Sequence, residues 1–314
     1  MTPNEIYKIH PITDYQQWSQ YFFSVKKPNL LQSWSYGNAK MKSQGWKLMR
    51  GIIYENDQPL ALIQIWYKTF LFIKFVRVSY GPLWLVEYPA LEQIHGTFSI
   101  IKKHWNLRTF SVLSIAPNLE NVPDNNKILA ALSFYKRKCI LYKSGLIDLT
   151  QSISDLRSKL RQNWRNQLKS AEKKELTFHV GQDYADFQWI ISCFDRFRKE
   201  KNFYGHSIPL LNALHNCSFD FHETWVAIVS HGTERVSGML IAYYGSSCTP
   251  LIIWLNKNGR SLNAGNFLLW NSILYAKNKG SLWFDLGGTN DATKFKMGLP
   301  HEGYQMIGEY YGLI

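Results

Sequence analysis

The sequence predicts an α/β (α+β) chain of two tandem lobes, each a mixed β-sheet flanked by helices. Three meandering strands, a helix and a further strand follow one another twice along 314 residues. That length accommodates two domains of about 150 residues each. Around residue 146, where a strand in CILYKSGLIDL gives way to a helix, no Gly/Ser-rich or Pro-rich linker intervenes. The expected domains are therefore 1–145 and 146–314, packed tightly and leaving a groove between them.

In the first half, helices near 14–23 and 33–44 precede the strand WKLMRGIIYE, a turn at NDQP, the strand LALIQIWYK and an apolar run at 70–79. A helix near 88–104 and the strand TFSVLSIAP complete it. The second half repeats the order. Helices near 154–173, 184–201 and 207–215 lead to TWVAIVS, a turn at HGTER, VSGMLIAYY, a turn at GSS, and TPLIIWLN. A helix over about 263–279 and the strand LWFDL follow. These strands are β-branched and aromatic runs bounded by Gly, Pro, Asn and Asp. No residue-level identity links the halves, so the repeat is one of architecture. The order β-β-β-α-β is that of the GCN5-related N-acetyltransferase (GNAT) fold, and each half is expected to be a GNAT-like lobe.

Composition narrows the class. Aromatic residues make up 15% of the chain, enough to line a cleft for a large, partly polar ligand as well as to fill a core. A net charge of +13 favours polyanionic partners: nucleic acid, a phospholipid surface or a multiply phosphorylated substrate. Cys139, Cys193, Cys217 and Cys248 are widely spaced without a CxxC pair, which fits neither a zinc ribbon nor a disulfide framework and suits a reducing cytoplasm. Residues 1–25 lack the pattern of a signal peptide. The most apolar run, FLFIKFVRVSYGPLWLV, is interrupted by Lys74, Arg77, Gly81 and Pro82 and reads as strands. A cytoplasmic protein that touches the membrane surface is expected.

LTQSISDLRSKLRQNWRNQLKSAEKKEL, residues 149–176, reads as one long helix. Ser152 and Asp155 make a capping-box signature at its start. Leu156, Leu160, Trp164 and Leu168 form a buried stripe at four-residue spacing. Arg157, Arg161, Arg165, Lys169 and Lys173 run beside it as a cationic ridge, either a solvated face or a phosphate-contacting surface, with Arg165 at its centre. Farther on, Arg260-Ser-Leu-Asn263-Ala-Gly265 has the outline of the [QR]-x-x-G-x-[GA] loop that wraps the pyrophosphate of coenzyme A in acetyltransferases of this fold. Backbone N–H groups at a helix start bind phosphate. Asn263 stands where glycine belongs, and asparagine tolerates the left-handed conformation.

The closing stretch FDLGGTNDATKFKMGLP carries the most specific signal. Together with LLQSWSYGNAK, YGPLWL, NQLKSAEKKEL, LLWNSILYAKNKGSLWFDLGGTN and GEYYGL, it resembles the FemABX family over most of the chain. These are the aminoacyl-transfer-RNA-dependent peptidyltransferases that build peptidoglycan interpeptide bridges. The resemblance places the family's reaction-centre Phe-Lys pair on Phe295 and Lys296. Lys296 would stabilise negative charge growing on the carbonyl oxygen of an aminoacyl ester, and Phe295 would pack against substrate. It carries a diphosphate-binding lysine to Lys40 and a carboxylate, able to accept a proton from the attacking ammonium, to Glu87. A second basic position falls in NFYGHSIPLL, beside Tyr204 and His206, where His206 departs from the family's arginine and puts diphosphate binding there in doubt. Asp285 is read as a brace for the Gly-Gly turn. The helical-hairpin arm of some members is not expected, because no long heptad segment occurs.

The implied donor is aminoacyl-tRNA with no tightly bound cofactor. The implied acceptor is a lipid-linked or nucleotide-linked peptidoglycan precursor, DNA is not an expected partner, and peripheral contact with the inner membrane surface is. Two other readings stay open. One is acetyl-CoA- or acyl-CoA-dependent N-acylation of an amino sugar or other amine through Arg260 and Asn263. The other is a non-catalytic binding protein of the same fold. His206, His215, Cys217 and His222 match no zinc spacing, no metal site is expected, and GxSxG, HExxH and P-loop patterns do not occur.

Overall fold

A computed structural model of the protein describes residues 6–105, 111–202, 205–288 and 291–313. It divides into two compact units, Met1–Lys143 with Gln305–Ile314, and Ser144–Tyr304. The first comprises β1 (Tyr7–Pro11), helices Tyr15–Ser24 and Trp34–Gln44, β2 (Lys47–Glu55), β3 (Gln58–Phe70), β4 (Ile73–Ser79) and β5 (Leu83–Trp84). Helix Leu91–His104, β6 (Ser111–Ala116), helix Pro123–Ala131 and β7 (Tyr135–Lys136) follow. The second opens with β8 (Lys143–Asp148), helices Ile153–Ser158 and Gln162–Glu172, β9 (Leu176–Gly181), and helices Tyr184–Lys201 and Ile208–Ser218. It continues with β10 (Thr224–His231), β11 (Glu234–Tyr244), β12 (Ser247–Leu255), helices Lys257–Ser261 and Ala264–Asn278, and β13 (Trp283–Asp285). A 3₁₀ segment Asp291–Gly298, β14 (Glu302–Gln305) and β15 (Tyr310–Leu313) end the chain.

The two sheets have the same plan. The first runs β1-β2-β3-β4-β6-β15-β7, with β5 on β3; the second, read from its matching edge, runs β9-β10-β11-β12-β13-β8-β14. In each, the helix after the meander connects a parallel pair, β4 to β6 and β12 to β13. β1, β7, β9 and the helix Pro123–Ala131 lie outside the repeated order read from the sequence.

The penultimate strand of each sheet is remote in sequence from its neighbours. β15 comes from the end of the chain to pair with both β6 and β7, while the junction strand β8 lies beside β13. The last ten residues thus complete the first sheet, where the sequence placed them in a second domain of 146–314. Backbone pairing decides this: without β15, β6 would present an unpaired edge, and composition carries no trace of a strand that returns from so far away.

In the second unit, one face of the sheet is covered by the helices Gln162–Glu172 and Ala264–Asn278 around Leu156, Leu160, Trp164, Leu168, Leu268 and Phe284. The other is covered by Tyr184–Lys201 through Phe187, Ile190, Ile191 and Phe194. Burial on both faces explains why β11 reads as a nearly unbroken apolar run.

The long helix expected over 154–173 is two helices. Arg161 between them is extended, with φ −58° and ψ 143°. Its N–H donates to Gly298 O at 2.9 Å. The Arg165 guanidinium donates to Ser158 O at 2.7 Å and Leu160 O at 2.9 Å. A tertiary acceptor and a side-chain donor thus take over hydrogen bonds that helical continuation would have made. Leu156, Leu160, Trp164 and Leu168 are all buried as expected, Leu156 from the first helix, Leu160 from the break, and Trp164 and Leu168 from the second helix, where the four-residue spacing still sets a shared face.

Candidate active site

Within the second unit, chemistry gathers where β13 ends. β12 pairs with β13 only at Ser247–Trp283 and Cys248–Phe284, then continues to Leu255 while β13 stops at Asp285. Pro250, which has no N–H, stands just past the last pair. The strands therefore part there, and the turn Leu286-Gly287-Gly288 occupies the fork. Gly287 has φ +72°, and a Cβ added to it would stand 2.8 Å from Pro250 O and 3.0 Å from Thr249 Oγ1, so glycine is required twice over.

Asp285 holds this turn, as the sequence suggested, through a larger set of bonds than a turn needs. Its Oδ1 accepts from the Gly287 N–H at 2.8 Å and the Ser144 hydroxyl at 2.5 Å; its Oδ2 accepts from the Tyr304 hydroxyl at 2.6 Å. Ser144 Oγ in turn accepts from the Gly288 N–H at 3.2 Å. Ser144 and Tyr304 were not legible as site residues, because they reach Asp285 from β8 and β14. Thr249 was not legible either: its buried hydroxyl has no hydrogen-bond partner among the described residues.

Lys296 arrives in this setting from the 3₁₀ segment. Its side chain is 4% exposed, and its Nζ donates to Leu286 O at 2.6 Å. Burial lowers its pKa from 10.5 to about 8, against the pull of the Asp285 carboxylate, which raises it. Phe295 beside it is 37% exposed. The segment is seated on the helix Gln162–Glu172, for a Cβ on Gly298 would stand 2.6 Å from Trp164 Cδ1. The kink at Arg161 thus also fixes Lys296, through the Arg161 N–H to Gly298 O bond.

The other expected residues are dispersed. Arg165 caps backbone carbonyls instead of facing a ligand, and Arg157 is paired with Glu172, so the cationic ridge is partly neutralised; Arg161, Lys169 and Lys173 remain exposed. Arg260 is exposed, and Asn263 has the anticipated left-handed backbone, φ +56°, at the start of Ala264–Asn278. The turn before Asn263 lines an open cavity of about 480 Å³ with Glu234, Asn256, Lys257, Asn258 and Ser261. Ala264, Gly265 and Asn266 are buried, and Gly265 packs on Leu255. Asn256 and Asn258 donate to the carboxylate of Glu234 at 2.7 and 2.8 Å.

In the first unit, Lys40 donates to Gln44 Oε1 at 2.7 Å and stands 5.9 Å from the Trp66 ring. Burial first, then Arg77 and Lys68, lower its pKa. Glu87 is exposed and ion-paired with Lys26, which holds its carboxyl below the usual range, the opposite of what a proton acceptor needs. Tyr204 lies outside the described residues. His206 is open to solvent although nearby protein lowers its pKa, and on either count its ring is neutral near pH 7. His215 Nδ1 bonds Thr224 Oγ1 and its ring stacks on Phe187 at 3.8 Å, while His222 bonds Gln182, so neither is poised to bind metal. His179, Asp183 and Asp186 do lie together, but Arg235 occupies Asp186 at 2.7 Å.

Residues 158–297 match the family described as the acetyltransferase (GNAT) domain, a span that takes in the helix Gln162–Glu172 and ends just beyond Lys296. In structure, the chain is similar to the crystal structure of FemX over 97% of each chain, with a TM-score of 0.81 and 15% identity. The fold is a FemABX-type GNAT fold. A tandem GNAT protein from the clavulanic acid biosynthesis pathway is similar over 98% of each chain, with a TM-score of 0.56 and 8% identity. The C-terminal domain of a putative lysylphosphatidylglycerol synthetase from Agrobacterium fabrum is similar over 95% of this chain and 92% of that one, with a TM-score of 0.54 and 11% identity. No curated protein matches by sequence. The span that matches the acetyltransferase (GNAT) domain has the fork of β12 and β13 inside it.

Proposed function

We propose that the protein is an aminoacyltransferase that moves an aminoacyl group from aminoacyl-tRNA to an amine of a peptidoglycan precursor. The observation that carries this reading is the buried ammonium of Lys296 at the end of β13. In aminoacyl transfer, the acceptor nitrogen attacks the ester carbonyl carbon, and the carbonyl oxygen gains negative charge. The C–O bond to the ribose then breaks, and the ribose oxygen leaves with a proton lost by the attacking amine. Among the described residues Lys296 spends one N–H on Leu286 O, which fixes its position, and has two more to offer the oxyanion. A pre-oriented donor of this kind is commonly worth about 100-fold or more in rate. Phe295, on the exposed side, would pack against the substrate.

The burial at 264–266 and the Glu234 carboxylate lining the cavity at 256–258 favour this donor over acyl-coenzyme A. A pyrophosphate needs accessible backbone N–H groups at the start of Ala264–Asn278. Ala264, Gly265 and Asn266 at that start are buried, and the turn that leads to it carries the Glu234 carboxylate, paired with Asn256 and Asn258. Lys40 and the exposed cations Arg161, Lys169 and Lys173 would serve phosphate groups of donor or acceptor.

The test supplies purified protein with aminoacyl-tRNA or acetyl-coenzyme A and with nucleotide-linked or lipid-linked precursors, and follows product mass. An aminoacyl mass gain that requires charged transfer RNA, and that drops about 100-fold in Lys296→Ala, is the expected result. Acetylated product, or full turnover by Lys296→Ala, would overturn the reading.

A further inference from the structure

The described residues contain four two-residue hairpin turns, and one is unlike the others. The turns at Asn56-Asp57, Gly232-Thr233 and Gly245-Ser246 place asparagine, aspartate or glycine at positive φ, as tight hairpins favour. Between β3 and β4 the turn is Leu71-Phe72, closed by the pair Phe70–Ile73, and Leu71 sits at φ +54°. Phe70, Leu71 and Phe72 are 68, 77 and 69% exposed, and Phe75 behind them is exposed too. Large apolar side chains thus stand in water where small polar ones would close the turn with less strain.

Charge brackets this tip. No Asp or Glu occurs between Asp57 and Glu87. Lys68 pairs across the hairpin with Phe75 and lies near the Trp46 ring on one face. Lys74 pairs with Thr69 and lies near the Trp105 ring on the other. Exposed Lys47 and Lys103 stand on neighbouring elements. Lys68 is two residues behind Phe70, about 7 Å along the strand at roughly 3.4 Å per residue. Apolar side chains that dock on a bilayer enter about 5–10 Å, with lysines reaching the headgroups behind them. The charge and the spacing both match an anionic lipid surface.

We propose that the β3–β4 tip is a membrane-docking hairpin, which inserts Phe70, Leu71 and Phe72 into the interface of an anionic bilayer with Lys68 and Lys74 at its phosphates. The proposal stands on the first unit alone and does not depend on the reaction assigned to Lys296.

Co-sedimentation of the full chain with vesicles of phosphatidylglycerol and phosphatidylcholine, or of phosphatidylcholine alone, tests it. The protein should pellet with the anionic vesicles and largely stay in solution with the neutral ones. The paired change Leu71→Asn and Phe72→Gly installs the usual turn residues. It should weaken vesicle binding about tenfold or more while the thermal midpoint holds or rises, which separates lost docking from lost folding. Lys68→Glu with Lys74→Glu should weaken binding to anionic vesicles only. Wild-type protein that ignores anionic vesicles, or a turn variant that pellets as well as wild type, would overturn the proposal. So would a wild-type dimer that the turn variant abolishes in sedimentation velocity, since the tip would then cover a second copy.

Discussion

Lys296 is held as a cation against the preference of its surroundings, and that tension can be measured. With a folded pKa of about 8 against 10.5 for an ordinary lysine, the unfolded chain binds one more proton between those values. Stability should therefore rise with pH across that window and carry a constant penalty below it. Lys296→Met should be the more stable protein at neutral pH, by up to about 3 kcal/mol less the lost bond to Leu286, and its advantage should fade toward pH 10.5 in urea titrations. Activity should run the other way. An oxyanion donor must be charged, so turnover should fall above pH about 8, and Lys296→Arg, if active, should extend the plateau. A climb toward pH 8 also follows from ionisation of the acceptor amine, so only a climb that Lys296→Arg abolishes would make Lys296 a base. The Phe295–Lys296 pair was legible as a motif; that one side chain is buried and the other exposed was not, because that follows from the seating of Gly298 on Trp164.

At the scale of elements, the cationic ridge is the instructive case. Four-residue spacing predicted both its buried stripe and its charged face. The stripe is buried as expected, since apolar burial depends on which way a side chain points. The charges are partly spent, because Glu172 pairs with Arg157 and two backbone carbonyls accept from Arg165. Arg165→Ala should lower stability by about 1–2 kcal/mol in denaturant titrations, as carbonyls at a helix end lose a charged donor. It should leave the salt dependence of transfer-RNA binding unchanged; a shallower slope would return Arg165 to a phosphate-contacting role. The loop at 260–265 is a similar case. Its left-handed Asn263 was legible from residue type, whereas the pairing of Asn256 and Asn258 with Glu234 was not, because Glu234 sits in a neighbouring hairpin.

At the scale of the whole molecule, the chain enters the first unit, passes through the second and returns. A chain cut after Tyr304 keeps every residue of the second unit but removes β15 from between β6 and β7. It should lose the first unit's cooperative unfolding while the second still melts, which calorimetry or limited proteolysis would resolve. A cut that leaves both units intact would mean that β15 adds little to the first sheet. The charge of +13 acts at this scale as well, as a field that draws polyanions before any contact forms.

The sequence by itself determined the repeated strand and helix order, the buried stripes and the Phe-Lys motif, because periodicity, turn chemistry and local spacing are properties of neighbouring residues. Only the tertiary structure decided where the long helix breaks, that Asp285 gathers Ser144 and Tyr304, that Glu234 pairs with Asn256 and Asn258, and that the chain's end belongs to the first sheet. Each of those depends on hydrogen bonds or close packing between residues far apart in sequence, and whether such partners meet is settled by folding rather than by local pattern.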